Sequence, residues 1–143
     1  MSEIVQENVW FSLAFDQFAN TSSTRIPFDH HLLLGMVAPR GLFIIDNIGY
    51  DWLGPWSSWA CAVAARTIYS AFGAEDSFGI SQAPNHTHRE FPDYQQGELS
   101  SFINRFLFNQ EANTAIWETA GNASFPKDWY PWNTPKFNGG FHF

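Results

Sequence analysis

Residues 84–92 read Pro-Asn-His-Thr-His-Arg-Glu-Phe-Pro and place two imidazoles, His86 and His88, two positions apart in a loop. An imidazole titrates near neutrality, so it can take a proton from a nucleophile and return it to a leaving group if an acid holds it in one tautomer. A loop at the carboxyl end of a parallel strand suits that task, because open α/β sheets bind ligands at that edge. The plainer alternative is that both are ordinary polar loop residues. A nucleophile to accompany them is absent from the chain. No Gly-x-Ser-x-Gly elbow occurs, and the nearest approach, Gly79-Ile80-Ser81-Gln82-Ala83, runs into Pro84-Asn85 instead of a helix. Cys61 falls in the middle of a helical pattern, a poor setting for a nucleophile. His86 and His88 with Glu90, or with the pair His30-His31, offer zinc-type donors, but the spacing matches no strong signature such as His-Glu-x-x-His, so no metal and no cofactor is assigned. Asp46 and Asp51 flank the preceding loop. Either could orient a histidine, although ending a strand and capping a turn are the simpler roles. Trp52, beside Asp51, offers a stacking face and one N–H donor, both useful against a sugar; a place in the core is the commoner fate of a tryptophan.

The elements that must position these residues follow from hydrophobic periodicity. Phe11, Ala14, Phe15, Phe18 and Ala19 share a helical face over residues 8–19, and Asp29 caps a short helix running to Met36 before Pro39. Gly41-Leu42-Phe43-Ile44-Ile45-Asp46 is a continuous apolar run, the pattern of a strand buried on both faces. Residues 57–72 read as a helix with Ala60, Ala64, Ile68 and Ala71 on one side, ended by Gly73. Phe78-Gly79-Ile80-Ser81 is a second short strand. After the histidine loop, a helix from Asp93 to about Phe108 carries Leu99, Phe102, Ile103, Phe106 and Leu107 at i, i+3, i+4 spacing. Strand, helix, strand, helix is a βαβα unit and requires a parallel sheet. Two strands cannot make such a sheet alone, so the chain reads as incomplete. Residues 1–119 form the expected βαβα part and residues 120–143 a Pro-, Asn- and Trp-rich irregular surface tail.

Composition narrows the function classes. A net charge of −7 without a basic patch argues against nucleic acid. No apolar run is long enough to span a membrane. Aromatic residues are 18% of the 143, which suits either a dense core or a sugar-stacking surface. Sequons at Asn20, Asn85 and Asn122 lean weakly toward a secretory setting, although the chain starts with no signal-peptide pattern of its own.

Taken in order, several segments resemble the carboxyl-terminal part of the glucuronoyl esterases (4-O-methyl-glucuronoyl methylesterases). They are Pro27-Phe28-Asp29-His30-His31-Leu32, Ala38-Pro39-Arg40-Gly41-Leu42-Phe43, Ile45-Asp46-Asn47, Asp51-Trp52-Leu53-Gly54-Pro55 and Ala64-Ala65-Arg66-Thr67-Ile68-Tyr69. His86-Thr87-His88 with Phe91-Pro92, and Phe102-Ile103-Asn104-Arg105-Phe106-Leu107, continue the series. The resemblance implies an α/β fold, the carboxyl-terminal portion of an α/β-hydrolase (a three-layer sandwich with a mainly parallel sheet), incomplete in this chain. It implies a secreted serine esterase acting on esters between the 4-O-methyl-glucuronic acid of glucuronoxylan and lignin alcohols, without a cofactor. In the family's His-x-His pattern the second histidine is catalytic, which falls on His88 and leaves His86 as support. The tryptophan of Asp-Trp-Leu-Gly-Pro contacts the sugar, which falls on Trp52. The family's serine elbow, its substrate-binding lysine and its triad glutamate belong to a region preceding Met1, so the upstream half of the domain is the expected partner and this chain alone is expected to be inactive. Arg89 stands where fungal members often carry a cysteine bridged to one beside the serine, so that bridge is absent. By the same resemblance Cys61 is half of another disulfide whose partner lies upstream. The competing reading is a non-catalytic carbohydrate-binding segment, which requires several coplanar exposed rings where the esterase reading exposes mainly Trp52.

Overall fold

The computed structural model describes residues 12–18, 26–87, 89–121, 123–124 and 126–135. A short helix α1 (His30–Gly35) opens the ordered core, its first turn capped by the Asp29 carboxylate, which accepts from the His30 N–H at 2.6 Å. Strand β1 (Leu42–Asn47), helix α2 (Pro55–Ala71), strand β2 (Phe78–Ala83), helix α3 (Asp93–Phe106) and strand β3 (Trp117–Thr119) follow. The three strands form one sheet in the order β1-β2-β3 with both pairs parallel. Leu42 stands opposite Phe78 and Asn47 opposite Ala83, so β1 and β2 end level with one another.

Side chains alternate across a strand, and the two helices take the two faces accordingly. Phe78 and Ile80 of β2 pack with Trp59, Ala62, Ala65 and Tyr69 of α2 to form the core. On the opposite face Phe102 of α3 stacks on Phe43 at 4.5 Å and lies against Gly79, where an added Cβ would come within 2.7 Å of the Phe102 ring. Gly79 is therefore the residue that lets α3 approach the sheet. The result is helix, sheet, helix: three layers, as the βαβα pattern requires.

Four details depart from the sequence expectations. First, β3 was not foreseen: its three residues are too few to show alternation, and pairing with β2 alone defines it. Second, β1 is only half-buried apart from Asn47, because among the described residues it has a strand neighbour on one side only. Third, the sheet-facing side of α2 is Trp59, Ala62, Ala65 and Tyr69, while Ile68 of the expected row meets Gly35 of α1. Fourth, α3 stops at Phe106, so Leu107 leaves the helical stripe and is exposed, and Gln95 takes a fully buried place on that face. Near the amino end only a 3₁₀ turn, Leu13–Phe18, represents the helix expected over residues 8–19, of which residues 8–11 and 19 lie outside those described.

The segment after β3 is irregular apart from a turn at Lys127–Trp129, and it lies along α2. The Trp59 indole N–H donates to the Ala123 carbonyl at 2.9 Å, and that of Trp132 donates to Thr67 Oγ1 at 3.0 Å. Trp132 also stacks on His31 of α1.

Candidate active site

Because β1 and β2 are parallel and end together, the loops that follow them, residues 48–54 and 84–92, emerge at the same edge. A shallow groove of about 320 Å³ opens between them, lined by Gly49, Tyr50, Asn85, His86, Thr87 and Glu90. A larger hollow of about 510 Å³, lined by Asp76, Arg105 and residues 111–115, sits at the amino ends of β2 and β3, away from both loops.

The first loop is closed by local chemistry. Asp51–Leu53 form one 3₁₀ turn with Gly54 N–H donating to the Asp51 carbonyl at 2.9 Å. Gly54 adopts the left-handed conformation (φ 65°) that glycine takes without steric cost, and Pro55 then starts α2 with its φ already helical. This turn lifts Trp52 into solvent, 69% exposed, with its ring 6.1 Å from that of Tyr50 in the groove wall. Of the other tryptophans, Trp129 and Trp56 are 54% and 40% exposed but meet edge to face at 77°, so that pair offers no flat platform.

The second loop begins at Asn85, also left-handed (φ 62°), a conformation that asparagine tolerates. Its turn is closed reciprocally: Glu90 N–H donates to the Thr87 carbonyl, and Thr87 N–H donates to Glu90 Oε2, both at 3.1 Å. His88 lies within that turn in sequence but outside the described residues. His86 turns inward, with Nδ1 at 3.0 Å from the Thr87 carbonyl and 3.2 Å from Asn47 Nδ2.

Two side chains that the sequence reading did not single out hold these loops. Asn47, 5% exposed at the end of β1, accepts the Gly49 N–H at 2.7 Å through Oδ1, which fixes its amide orientation. Its Nδ2 then donates to the His86 carbonyl at 3.0 Å and reaches the Thr87 carbonyl at 3.5 Å. Gln82 of β2 donates from Nε2 to Asp46 Oδ2 and to the Pro55 carbonyl, each at 2.8 Å, and so ties the start of the Trp52 loop to its end. The other Asp46 oxygen accepts the Asn47 N–H at 2.8 Å, so both oxygens of this carboxylate are engaged within the sheet edge. The available signal was position: both amides sit at strand ends, where a polar side chain can be buried only if the connecting loops satisfy it.

Cys61 is half-buried on α2, 3.8 Å from Asp29 Oδ1. Burial, reinforced by the Asp29 carboxylate, pushes its thiol up to about 11, so it is protonated at neutral pH and is no nucleophile. Among the described residues no three His, Cys, Asp or Glu side chains converge as metal ligands. No described helix is long and apolar enough to cross a membrane.

Comparison with known proteins bears on this edge. The family model for fungal glucuronyl esterases matches residues 1–73. The 4-O-methyl-glucuronoyl methylesterase of Hypocrea jecorina is 44% identical over 94% of this chain, which covers 28% of that protein. The solved catalytic domain of a glucuronoyl esterase from Hypocrea jecorina superposes with a TM-score of 0.86 at 42% identity, covering 96% of this chain and 37% of that one. A serine-to-alanine mutant of the glucuronoyl esterase from Sporotrichum thermophile, solved with methyl 4-O-methyl-beta-D-glucopyranuronate, superposes with a TM-score of 0.79 at 40% identity, covering 92% of this chain and 35% of that one. The chain thus spans about a third of the length of these relatives.

Proposed function

The chain belongs to the fungal glucuronyl esterase family and has its α/β-hydrolase fold, and from that premise we propose that it supplies the histidine-bearing part of a serine-type carboxylic ester hydrolase. The substrate is a 4-O-methyl-glucuronoyl ester, of the kind that joins glucuronoxylan to lignin alcohols, and the setting is extracellular. His88 is the general base. It accepts the proton of a serine carried by the portion of the family's domain that this chain does not span, and returns it to the leaving alcohol. The serine oxygen bonds to the glucuronoyl carbonyl carbon, the alcohol leaves, and water then cleaves the acyl-enzyme with His88 again as base. Trp52 stacks on the sugar.

The observation that carries this reading is the convergence of the two loops, one bearing Trp52 and the other bearing residue 88, on the same carboxyl edge with a groove between them. A solvent-facing aromatic ring on one loop, across a groove from the loop that carries the proton-transfer group, suits an ester of a bulky polysaccharide.

The test joins this chain, as one polypeptide, to the portion of the Hypocrea jecorina relative that it does not span, and follows hydrolysis of methyl 4-O-methyl-glucuronate. The chain alone should remain at background. The joined protein should turn over, and His88→Ala should lower kcat about a thousandfold or more. A folded joined protein whose kcat is indifferent to His88→Ala would remove the assignment. Titrating the same ester into the chain alone gives an independent check, since the Trp52 indole resonance should move with ligand.

A further inference from the structure

The hydrogen bonds of Asn47 carry an inference beyond the reaction just described, and it rests on that reading in one respect, the role of His88. A buried carboxamide that accepts from one loop and donates into another leaves neither loop free to move independently. Asn47 is 5% exposed; Oδ1 holds Gly49 at the start of the Trp52 loop, and Nδ2 holds the carbonyls of His86 and Thr87, the two residues just before position 88. The short reciprocal turn between Thr87 and Glu90 closes the far side of the same loop. We propose that Asn47 is a positioning residue for the general base: it sets the main-chain course of residues 86–87, the two that lead into His88 in sequence, against the start of the Trp52 loop.

Asn47 itself touches none of the reacting atoms in this proposal. An aspartate at 47 keeps the shape and the acceptor for Gly49 but loses both donors, and sets an anion against two carbonyl oxygens. An alanine removes the link altogether. A residue that served only packing would show its loss in the core, formed by Trp59, Tyr69 and Phe78, and not specifically at residue 88.

The experiment uses the isotopically labelled full chain and nuclear magnetic resonance. In the unsubstituted protein a hydrogen-bond scalar coupling should connect Asn47 Nδ2 with the His86 carbonyl carbon. In Asn47→Asp the His88 ring resonances and their titration with pH should be displaced while the Tyr69 and Phe78 resonances hold. The affinity for methyl 4-O-methyl-β-D-glucopyranuronate, read at the Trp52 indole, should fall about tenfold. Absence of the coupling, or a folded Asn47→Asp whose His88 titration and ester affinity match the unsubstituted chain, overturns the proposal. So does loss of the core resonances in both Asn47→Asp and Asn47→Ala, which makes Asn47 a structural residue. The ring displacement is read without ligand. If it occurs in a chain that never responds to the ester, the positioning by Asn47 stands and the esterase reading falls.

Discussion

The loop after β1 carries Trp52 on a turn that its own residues close, whereas the loop after β2 owes its course to a side chain reaching from the neighbouring strand. In the first, an Asp-Trp-Leu-Gly-Pro run dictates the geometry: one 3₁₀ turn, a left-handed Gly54, and a proline that starts the next helix. In the second, Asn47 fixes residues 86 and 87 from outside, while the Thr87–Glu90 closure is local. The difference matters for chemistry. A stacking ring tolerates a spread of orientations, but a proton-transfer group must stand within hydrogen-bond reach of its partner. The more demanding group is on the loop with more distant support.

This contrast can be broken most forcefully at Gln82, a nonlocal clip that ties the two ends of the Trp52 loop. Gln82→Ala removes the side-chain donor from the half-buried Asp46 carboxylate and from the Pro55 carbonyl. The expected cost is about 2–3 kcal/mol of unfolding free energy, measured by urea denaturation. A change below about 0.5 kcal/mol would show that the loop needs no help from β2. Gly54→Ala tests the local half of the comparison and should cost less. An added Cβ meets only the Ser57 side chain, at 3.9 Å and beyond, so the penalty is the left-handed backbone itself, about 1–2 kcal/mol. If Gly54→Ala proves silent, the turn is not what holds Trp52.

How far all this could be read from the sequence follows the same division. The apolar run at 41–46, the second strand and the helix from Asp93 announce themselves by local pattern, and the Trp52 turn by its glycine and proline. What escaped was nonlocal. β3 exists only through its pairing with β2. The buried face of α2 is set by which residues meet β2, so the expected row of Ala60, Ala64, Ile68 and Ala71 missed Trp59, Ala62, Ala65 and Tyr69, and its Ile68 meets α1 instead. Asn47 and Gln82 look like ordinary polar residues until the parallel register brings residues 46–49 beside residues 82–87. Pattern identified His86, His88 and Trp52 as candidates, and the family resemblance chose His88 of the two histidines; the parts that hold their loops needed the fold.

Trp52→Ala sharpens the comparison from the functional side. The ring is mostly in solvent, so its removal should change stability by less than about 0.5 kcal/mol, while the affinity for methyl 4-O-methyl-glucuronate falls about tenfold. Parallel thermal melts and ligand titrations check it. Equal affinity with and without the ring would detach the sugar contact from this loop.

The smallest effect is expected behind both loops, at Cys61, and it serves as the control for the others. The thiol sits between the Asp29 cap of α1 and the body of α2, with its pKa raised from 9.0 to about 11 chiefly by burial. A thiol held protonated in the native state stabilises fully below the unfolded value. That contribution is lost as pH rises from 9 toward 11, where the unfolded chain ionises and the folded one does not. Alkylation by iodoacetamide at neutral pH should accordingly be slow, and its rate should climb with pH throughout that window. Trp52→Ala and Gly54→Ala alter only the edge and should leave the rate unchanged. Gln82→Ala frees the Pro55 end of α2 and should raise it, because a loosened helix exposes the thiol and lowers its pKa. A Gln82→Ala protein with unchanged alkylation would mean that the clip holds the loop alone and that α2 rests on its core contacts, Trp59, Ala62, Ala65 and Tyr69, by themselves.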